Sequence, residues 1–345
     1  MTSPKENIIF DHESFEEGIH EEDLNTIDKK DQDYLDEWIA YYKDYAKEGK
    51  TASYIPALAE ADVAHLGIVI ARPDGTALKA GDHDVSFTLQ SISKVVSFIR
   101  VCLDFGISEV LEKVDVEPTG DAFNSLLRLE LHQAGRPFNP MVNTGALTVA
   151  SMLGDRTPEE KIAATLDLME KMIGRRPEVN ETVFESEWQT AHRNRAMAYY
   201  LKENGFLDCP VEDALNVYLK TCSIEVHTED IAKIALLLAY DGYDPVQGEQ
   251  VFPVEVARLT KALMVTCGMY NASGKFAARV GLPSKSGVSG GIMTVLSQRA
   301  GSRYSPVPQG GGIAVYGPAI DDYGNSIGGS LLLAQIARDW DLNIF

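Results

Sequence analysis

The chain has 345 residues, of which 45% are hydrophobic and 24% charged, a composition typical of a globular protein whose core needs no disulfide staples. Its 51 acidic residues outnumber the 31 basic ones and give a formal charge of −20, which argues against nucleic acid as a partner. No basic-then-apolar leader opens the chain and its apolar runs are too short to span a bilayer, so we expect a cytoplasmic protein without a membrane partner.

Residues 1–33 are predicted to form a mobile acidic arm. The stretch 1–37 contains 13 acidic and 3 basic residues, so half of the excess negative charge lies in about a tenth of the chain. Apolar residues then recur at helical spacing, which predicts an amphipathic helix over about 33–48, ended by Gly49. Residues 34–345 are predicted to form the folded domain.

A β-hairpin is predicted next, because the apolar run 67–71 and the run 76–79 flank the turn sequence Arg72-Pro73-Asp74-Gly75. A helix is predicted from Ser91 to about residue 105. The part of the chain from about 107 to 275 is mostly helical in pattern, and its clearest segments are 159–172, 194–203, 211–219 and 228–240. The predicted elements near the end are strands at 287–296 and 311–316 and a helix at 328–339.

This order of elements predicts an α+β fold. Strands at both ends of the chain with helices between them indicate one antiparallel sheet, built from about 50–90 and 276–345. A helical lobe of about 91–275 would be inserted between these two parts. Ser91 would then lie where the sheet meets the helical lobe, and clefts between lobes are favoured ligand sites.

The first motif with chemical meaning is Ser91-Ile92-Ser93-Lys94, the only S-x-x-K in the chain. Side chains three residues apart on a helix share one face, within hydrogen-bond reach. A serine hydroxyl needs a base to become a nucleophile, and a buried neutral lysine can be that base. The plainer alternative is a capping serine and a solvent-exposed lysine. A later triplet, Lys285-Ser286-Gly287, gives the order S-x-x-K then K-S-G, which resembles penicillin-binding proteins and serine β-lactamases.

Longer stretches resemble the serine-dependent glutaminase family, in the family's order and over about residues 50–345. The stretches that carry the resemblance are 53–59, 90–94, 139–146, 222–226, 268–270 and 281–288. The resemblance implies a β-lactamase/penicillin-binding-protein-like fold, hydrolysis of L-glutamine to L-glutamate and ammonia, and a homo-oligomer, dimer or tetramer. Residues 34–345 would be the glutaminase catalytic domain. Thr144 stands where the family pattern has alanine, and the acidic arm has no counterpart in that pattern.

The resemblance also implies residue roles. Ser91 would be the nucleophile and Lys94 its base, with the phenols of Tyr54 and Tyr270 beside them. The backbone N–H groups of Ser91 and Val288 would form the oxyanion hole. The glutamine contacts would come from Ser91, Asn143, Glu187, Asn194, Tyr218, Tyr270 and Val288.

Each of these residues has a plainer interpretation. Asn143 and Asn194 could cap helices, Tyr218 could belong to the core, Tyr54 could be an aromatic anchor, and Glu187 a solvated charge. Lys285, likewise, could pair with a nearby acid.

The sequence contains no H-E-x-x-H pair, C-x-x-C pair or phosphate-binding glycine loop, so no metal and no cofactor are predicted. Its four cysteines are expected to be reduced core thiols. Two alternative functions stay open at this point: a penicillin-recognising hydrolase on the same fold, and a non-catalytic amino-acid-binding or scaffold protein. An assay comparing glutamine with a chromogenic β-lactam separates all three.

Overall fold

The computed structural model describes residues 21–119, 135–153, 157–298 and 305–345; residues 1–20 of the predicted arm lie outside them. The strands are β1 (Gly67–Ala71), β2 (Ala77–Gly81), β3 (Phe87–Thr88), β4 (Glu225–Val226), β5 (Tyr243–Asp244), β6 (Glu249–Gln250), β7 (Ser284–Ser286), β8 (Gly291–Leu296) and β9 (Gly311–Tyr316). Five of them form one antiparallel sheet in the order β2-β1-β9-β8-β7. The predicted α+β fold with a sheet built from both chain ends is confirmed.

The helices complete the architecture. They are α1 (Glu21–Lys43), α2 (Ser93–Phe105), α3 (Ile107–Lys113), α4 (Asn143–Met152), α5 (Pro158–Ile173), α6 (Glu181–Thr190), α7 (His192–Glu203), α8 (Val211–Cys222), α9 (Thr228–Ala239), α10 (Val254–Cys267), α11 (Ser273–Arg279) and α12 (Ile327–Asp339). Short 3-10 turns include Gln90–Ile92 and Tyr270–Ala272. Every helix from α2 to α11 lies between the two groups of sheet strands in the sequence, as an inserted lobe requires.

Two predicted boundaries were wrong. Helix α1 begins at Glu21 rather than near 33, and a 3-10 turn over Asp44–Glu48 replaces its last predicted turn. The part of α1 that packs against the core contains the buried Leu35 and Ile39. Once packing fixes one helical turn, adding further residues costs little free energy, because the first turn is the unfavourable step. The predicted strand 287–296 begins later, at Gly291, as β8. Residues 287–290 form the turn between β7 and β8, where Gly290 has a φ of 105°.

The sheet is buried on both faces. Along β1, Val69 packs into the core shared with the helical lobe, whereas Ile68 and Ile70 pack into a second core under α1 and α12. Helix α9 packs on the sheet. The sequence analysis had instead predicted that these residues belong to the helical lobe. A side chain at Gly312 would come within 1.9 Å of the Ala232 carbonyl oxygen, so glycine on β9 permits this close approach.

The strands β3 and β4 join the two lobes near the predicted site. Thr88, three residues before Ser91, pairs with Glu225, three residues after Cys222. Neither two-residue strand was predicted, because the hydrophobic pattern needs more residues to be recognisable. Among the residues that the structure describes, no helix has both the length and the apolar composition to cross a bilayer.

Candidate active site

Ser91 lies in a tight turn between β3 and α2. Gln90, directly before it, has a φ of 47°, a left-handed conformation that is uncommon for a residue other than glycine. Leu89 fixes the turn by donating its N–H to the Ile224 carbonyl oxygen at 2.9 Å and accepting from Ile92 N–H at 3.1 Å. Such strain persists only where the surroundings hold it, and it is common at functional sites. The structure places Ser91 in the 3-10 turn Gln90–Ile92, before helix α2, rather than at the predicted start of the helix.

Lys94 points back at this serine. Its Nζ lies 3.1 Å from Ser91 Oγ, and both side chains are buried. Burial lowers the pKa of Lys94 to about 8, while the nearby Cys222 and Glu187 act in the opposite direction. The alternative of a solvent-exposed lysine is therefore wrong, and Lys94 can exchange a proton near neutral pH.

A chain of side-chain amides continues from Lys94. Its Nζ donates to Asn143 Oδ1 at 2.8 Å, and Asn143 Nδ2 donates to Asn194 Oδ1 at 3.1 Å. A protonated lysine can only donate, so in that form Lys94 fixes which end of the Asn143 amide faces it. The N-cap of α4 is Val142 and Asn194 lies within α7, so neither asparagine caps these helices.

Glu187, on α6, is 8% exposed. Burial raises its pKa to about 7, opposed by a hydrogen bond from the Gln90 side chain and by the charge of Lys94. Its Oε2 is buried and has no hydrogen-bond partner within the described chain. A solvated charge is thus the wrong interpretation, and a buried carboxylate oxygen without a donor suits a cationic ligand group.

Tyr218 and Cys222 lie one helical turn apart on α8. Tyr218 is buried, and its ring centroid lies 5.8 Å from Lys94 Nζ. Cys222 hydrogen-bonds Tyr218, and its Sγ lies 3.6 Å from Ser93 Oγ. Burial raises the pKa of Cys222 to about 12, so it is a neutral thiol at physiological pH.

Sequence reasoning assigned Cys222 to the core and missed its contact with the site. All four cysteines are free thiols, and Cys222 is buried as predicted, but Lys94 and Glu187 are close enough to influence its ionisation. The available signal was its position four residues after Tyr218, on the same face of a helix.

The two predicted phenols differ in setting. Tyr270 is buried with a φ of 52°. Burial raises its pKa, and the Ser91 side chain is close enough to act in the opposite direction. Tyr54 is 58% exposed, yet its pKa is also raised, first by desolvation and then by the nearby Tyr270 and Glu187. Tyr270 therefore lies against Ser91, whereas Tyr54 stands at the rim of the same site.

The turn that contains Val288 rests on the segment that leads to Ser91. Ser289 Oγ donates to the Thr88 carbonyl oxygen at 2.7 Å. A side chain at Gly287 would come within 2.6 Å of the Leu89 carbonyl oxygen, so only glycine allows the two segments to lie this close. The structure thus brings the backbone around Val288 next to the Ser91 turn.

Lys285, on β7, is fully buried beside the site. Its amine donates to the Gly268 carbonyl oxygen at 3.1 Å and to the Ser286 carbonyl oxygen at 2.6 Å, and it lies 4.5 Å from the centre of the Tyr270 ring. Burial, and then the charge of Lys94, holds its pKa well below the ordinary lysine value. Lys285 is therefore satisfied by carbonyl groups rather than by the acid considered from the sequence.

The described residues hold no group of three or more histidine, cysteine, aspartate or glutamate side chains arranged to bind a metal ion. The polar groups that do converge are Ser91, Lys94, Asn143, Glu187, Asn194, Tyr218 and Tyr270. An antiparallel sheet with an inserted helical lobe and a buried Ser–Lys pair at their junction defines the class of β-lactamase-like α+β proteins.

Within that class, the glutaminase family profile matches residues 49–345. Glutaminase 2 of Bacillus anthracis is 63% identical over 311 residues, covering 90% of this chain and 95% of that protein. Glutaminase 1 of Bacillus subtilis is 56% identical over 326 residues, covering 94% of this chain and 98% of that protein. The chain belongs to the glutaminase family and is an amidohydrolase of L-glutamine. Neither alternative function raised from the sequence is supported.

Solved structures agree with this family and its fold. A crystal structure of a probable glutaminase from Bacillus subtilis superposes with a TM-score of 0.86 at 55% identity, covering 90% of this chain and 97% of that one. A second structure, a covalent complex between the Bacillus subtilis glutaminase and 5-oxo-L-norleucine, superposes with a TM-score of 0.82 at 53% identity. It covers 90% of this chain and 99% of that one, and its complex was formed by reaction with 6-diazo-5-oxo-L-norleucine.

Proposed function

We propose that this chain hydrolyses glutamine through a γ-glutamyl ester on Ser91. The observation that carries the proposal is the buried Lys94 amine, 3.1 Å from Ser91 Oγ and hydrogen-bonded to a neutral amide instead of a carboxylate. A lysine in this setting loses its proton far more easily than one in water. Neutral Lys94 takes the hydroxyl proton of Ser91 while the serine oxygen attacks the side-chain amide carbon of glutamine.

The oxyanion formed by this attack needs hydrogen-bond donors. We assign the backbone N–H groups of Ser91 and Val288, because the Val288 turn lies against the Ser91 turn. A preorganised donor of this kind contributes about 3–4 kcal/mol to transition-state stabilisation. The C–N bond then breaks, and the departing nitrogen takes a proton from the active site as ammonia.

A phenol completes this proton transfer. Tyr270 lies close enough to Ser91 for the serine to influence its pKa, and it retains its proton at physiological pH, so it can relay the proton from Lys94 to the leaving nitrogen. Tyr54, at the rim, is the second phenol in reach of the site. Water finally attacks the ester with Lys94 as base, which releases glutamate and restores the Ser91 hydroxyl.

The amino-acid end of glutamine fits the remaining groups. We assign its α-ammonium to Glu187, whose Oε2 has no donor in the described part of the chain and whose carboxylate is the only acidic group among the proposed binding residues. Asn143, Asn194 and Tyr218 supply neutral hydrogen-bond partners for the rest of the substrate. The Bacillus subtilis relative that reacts covalently with a norleucine-based electrophile supports a covalent mechanism and a pocket for an amino acid of this length.

The decisive experiment uses Ser91→Ala and intact-mass spectrometry. Wild type quenched during turnover is expected to show an added glutamyl group that maps to Ser91, and treatment with 6-diazo-5-oxo-L-norleucine is expected to label the same residue. Ser91→Ala is expected to show neither adduct nor turnover, with unchanged thermal stability. Turnover at the wild-type rate in Ser91→Ala would end the serine mechanism.

We further propose a homo-oligomer, dimer or tetramer, on the family resemblance, and a cytoplasmic location, on the four free thiols. Light scattering of the purified protein at several concentrations tests the first proposal. Fractionation of the source cells tests the second.

A further inference from the structure

A small apolar cluster lies behind the catalytic groups, separate from the two main cores. Its buried members are Ala52, Tyr270, Val288 and Ile320. Ala52 lies two residues before Tyr54, so the cluster joins three of the segments that carry proposed catalytic groups. Ile320 comes from a fourth segment near the end of the chain and pairs with Lys50 through two backbone hydrogen bonds.

The segment that follows Ile320 forms a closed turn over residues 321–325. Asp321 Oδ1 accepts the N–H groups of Tyr323 and Asn325, each at 2.9 Å. Across the turn, Asp321 N–H donates to the Asn325 carbonyl oxygen at 2.9 Å and Gly324 N–H donates to the Asp321 carbonyl oxygen at 3.0 Å. Four internal hydrogen bonds therefore hold this turn together.

The side-chain position of Gly324 in this turn faces both Tyr270 and Val288. It has a φ of 98°, and a Cβ built on it would lie 3.1 Å from Val288 Cγ1 and 3.4 Å from Tyr270 Cε2. On the same side, Asn325 Nδ2 reaches the carbonyl oxygen of Met269 at 3.4 Å. The turn therefore hydrogen-bonds the residue before Tyr270, and its glycine leaves no room for a side chain beside the Tyr270 ring and Val288.

We propose that the turn 321–325 is a positioning element for the reaction: Gly324 fixes the Tyr270 ring against the Val288 turn without touching substrate. Tyr270 needs such support because its left-handed backbone conformation is unfavourable on its own. The turn sets the distance between a proton-relaying group and an oxyanion donor, two groups that come from different segments. The inference rests on the roles assigned above to Tyr270 and Val288.

The test compares Gly324→Ala with Gly174→Ala. Both glycines have positive φ, 98° and 78°, but a Cβ at Gly174 meets nothing within 4 Å. Both variants therefore carry backbone strain, and only Gly324→Ala pushes on the site. We expect kcat for glutamine to fall about 10–10²-fold in Gly324→Ala alone, the scale of a displacement of about 1 Å in an active site. KM should change less than kcat, because the groups assigned to the amino-acid end of glutamine, Glu187 and the two asparagines, lie on helices and not on this turn.

A second pair keeps the proposal testable if Gly324→Ala does not fold. Asp321→Ala removes the acceptor of two turn hydrogen bonds, and Asp74→Ala removes a comparable one, to Thr76 N–H at 2.9 Å, in the turn between β1 and β2. We expect kcat to fall in Asp321→Ala and to stay at the wild-type value in Asp74→Ala. A double variant, Gly324→Ala with Val288→Ala, removes the methyl that the new Cβ meets and should recover part of the lost kcat.

Equal kcat values in a folded Gly324→Ala and in Gly174→Ala would overturn the proposal. A fall in kcat/KM that comes entirely from KM would overturn it as well, since that result points to substrate binding. The activity of Ser91→Ala, measured in the same assay, tests the serine mechanism separately. If Ser91→Ala is inactive and Gly324→Ala behaves like its control, only the role of the turn is lost.

Discussion

Lys94 Nζ lies closer to Asn143 Oδ1, at 2.8 Å, than to the Ser91 hydroxyl oxygen, at 3.1 Å. The amide orients the amine without adding a charge that would stabilise the protonated lysine. A carboxylate in the same place would attract the ammonium form and hold the proton that a base must lose. The neutral partner therefore leaves the effect of burial, the largest cause of the lowered Lys94 pKa, unopposed at this contact.

Asn143→Asp is the direct test of this relationship. The new carboxylate should raise the pKa of Lys94 by at least about 1 unit, the lower end for an adjacent opposite charge. Because the neutral lysine is the base, the rise of kcat with pH should move to higher pH, and kcat at pH 8 should fall. Asn194→Asp, one hydrogen bond further from Lys94, should move the profile less. An unmoved profile in Asn143→Asp would contradict a catalytic role for neutral Lys94.

Wild-type activity should depend on pH through the same lysine. Below its pKa of about 8 Lys94 is protonated and inactive as a base, so kcat should rise as pH increases through 8 and then level off. Lys94→Arg keeps the positive charge but cannot lose its proton in this range. We expect a loss of at least about 10²-fold in kcat, measured by ammonia release. Normal turnover with arginine would require another base.

The pH dependence of KM should follow the ionisation of Glu187 rather than that of Lys94. Burial raises the pKa of Glu187 to about 7, and an α-ammonium binds only its ionised form. KM for glutamine should therefore increase as pH falls below 7, while substrate binding near pH 7 releases protons. Titration calorimetry of Ser91→Ala with glutamine in buffers of different ionisation enthalpy measures this release. The same titration on Glu187→Gln should show none of it.

Substrate choice gives a sharper test of Glu187. Glu187→Gln should lower kcat/KM for glutamine. The corresponding loss of transition-state stabilisation should be about 1.5–3 kcal/mol, the contribution of a charge-assisted hydrogen bond. Glutaramic acid lacks the amine and should be a poor substrate for wild type, but the substitution should harm it much less. Asparagine should also react poorly, because a chain one methylene shorter cannot reach Glu187 and Ser91 together. Equal losses of kcat/KM on glutamine and glutaramic acid would show that Glu187 does not bind the α-ammonium.

Two truncations separate the arm from the helix that follows it. Deleting residues 2–20 or residues 2–32 should leave kcat within about twofold, because the proposed site begins at Tyr54. Only the longer deletion removes Gln32, whose side chain donates to the Lys79 carbonyl oxygen at 2.7 Å. The longer deletion should therefore lower the Tm more than the shorter one. Loss of kcat in a folded protein lacking residues 2–20 would show that the arm belongs to the site.

The elements that sequence predicted well are those whose pattern is local and long. The hairpin around Arg72-Pro73-Asp74-Gly75 and strand β9 follow from apolar runs with clear turn signals, and the structure has them. The start of α1 was predicted too late, since acidic composition was read as an arm where packing of Leu35 and Ile39 supports a helix. The short pair β3 and β4 exists only because tertiary packing brings its two segments together.

By itself, the sequence determined the Ser91–Lys94 pair, because three residues within one turn set both their spacing and their common face. It also determined the fold class and, through its motifs, the family. Tertiary structure alone decided that Lys94 is buried beside an amide and that Glu187 keeps an oxygen with no donor among the described residues. It also decided that the side-chain position of Gly324 faces Tyr270 and Val288. These properties depend on residues far apart in the chain, and burial, which shifts a pKa, arises only when such segments pack together.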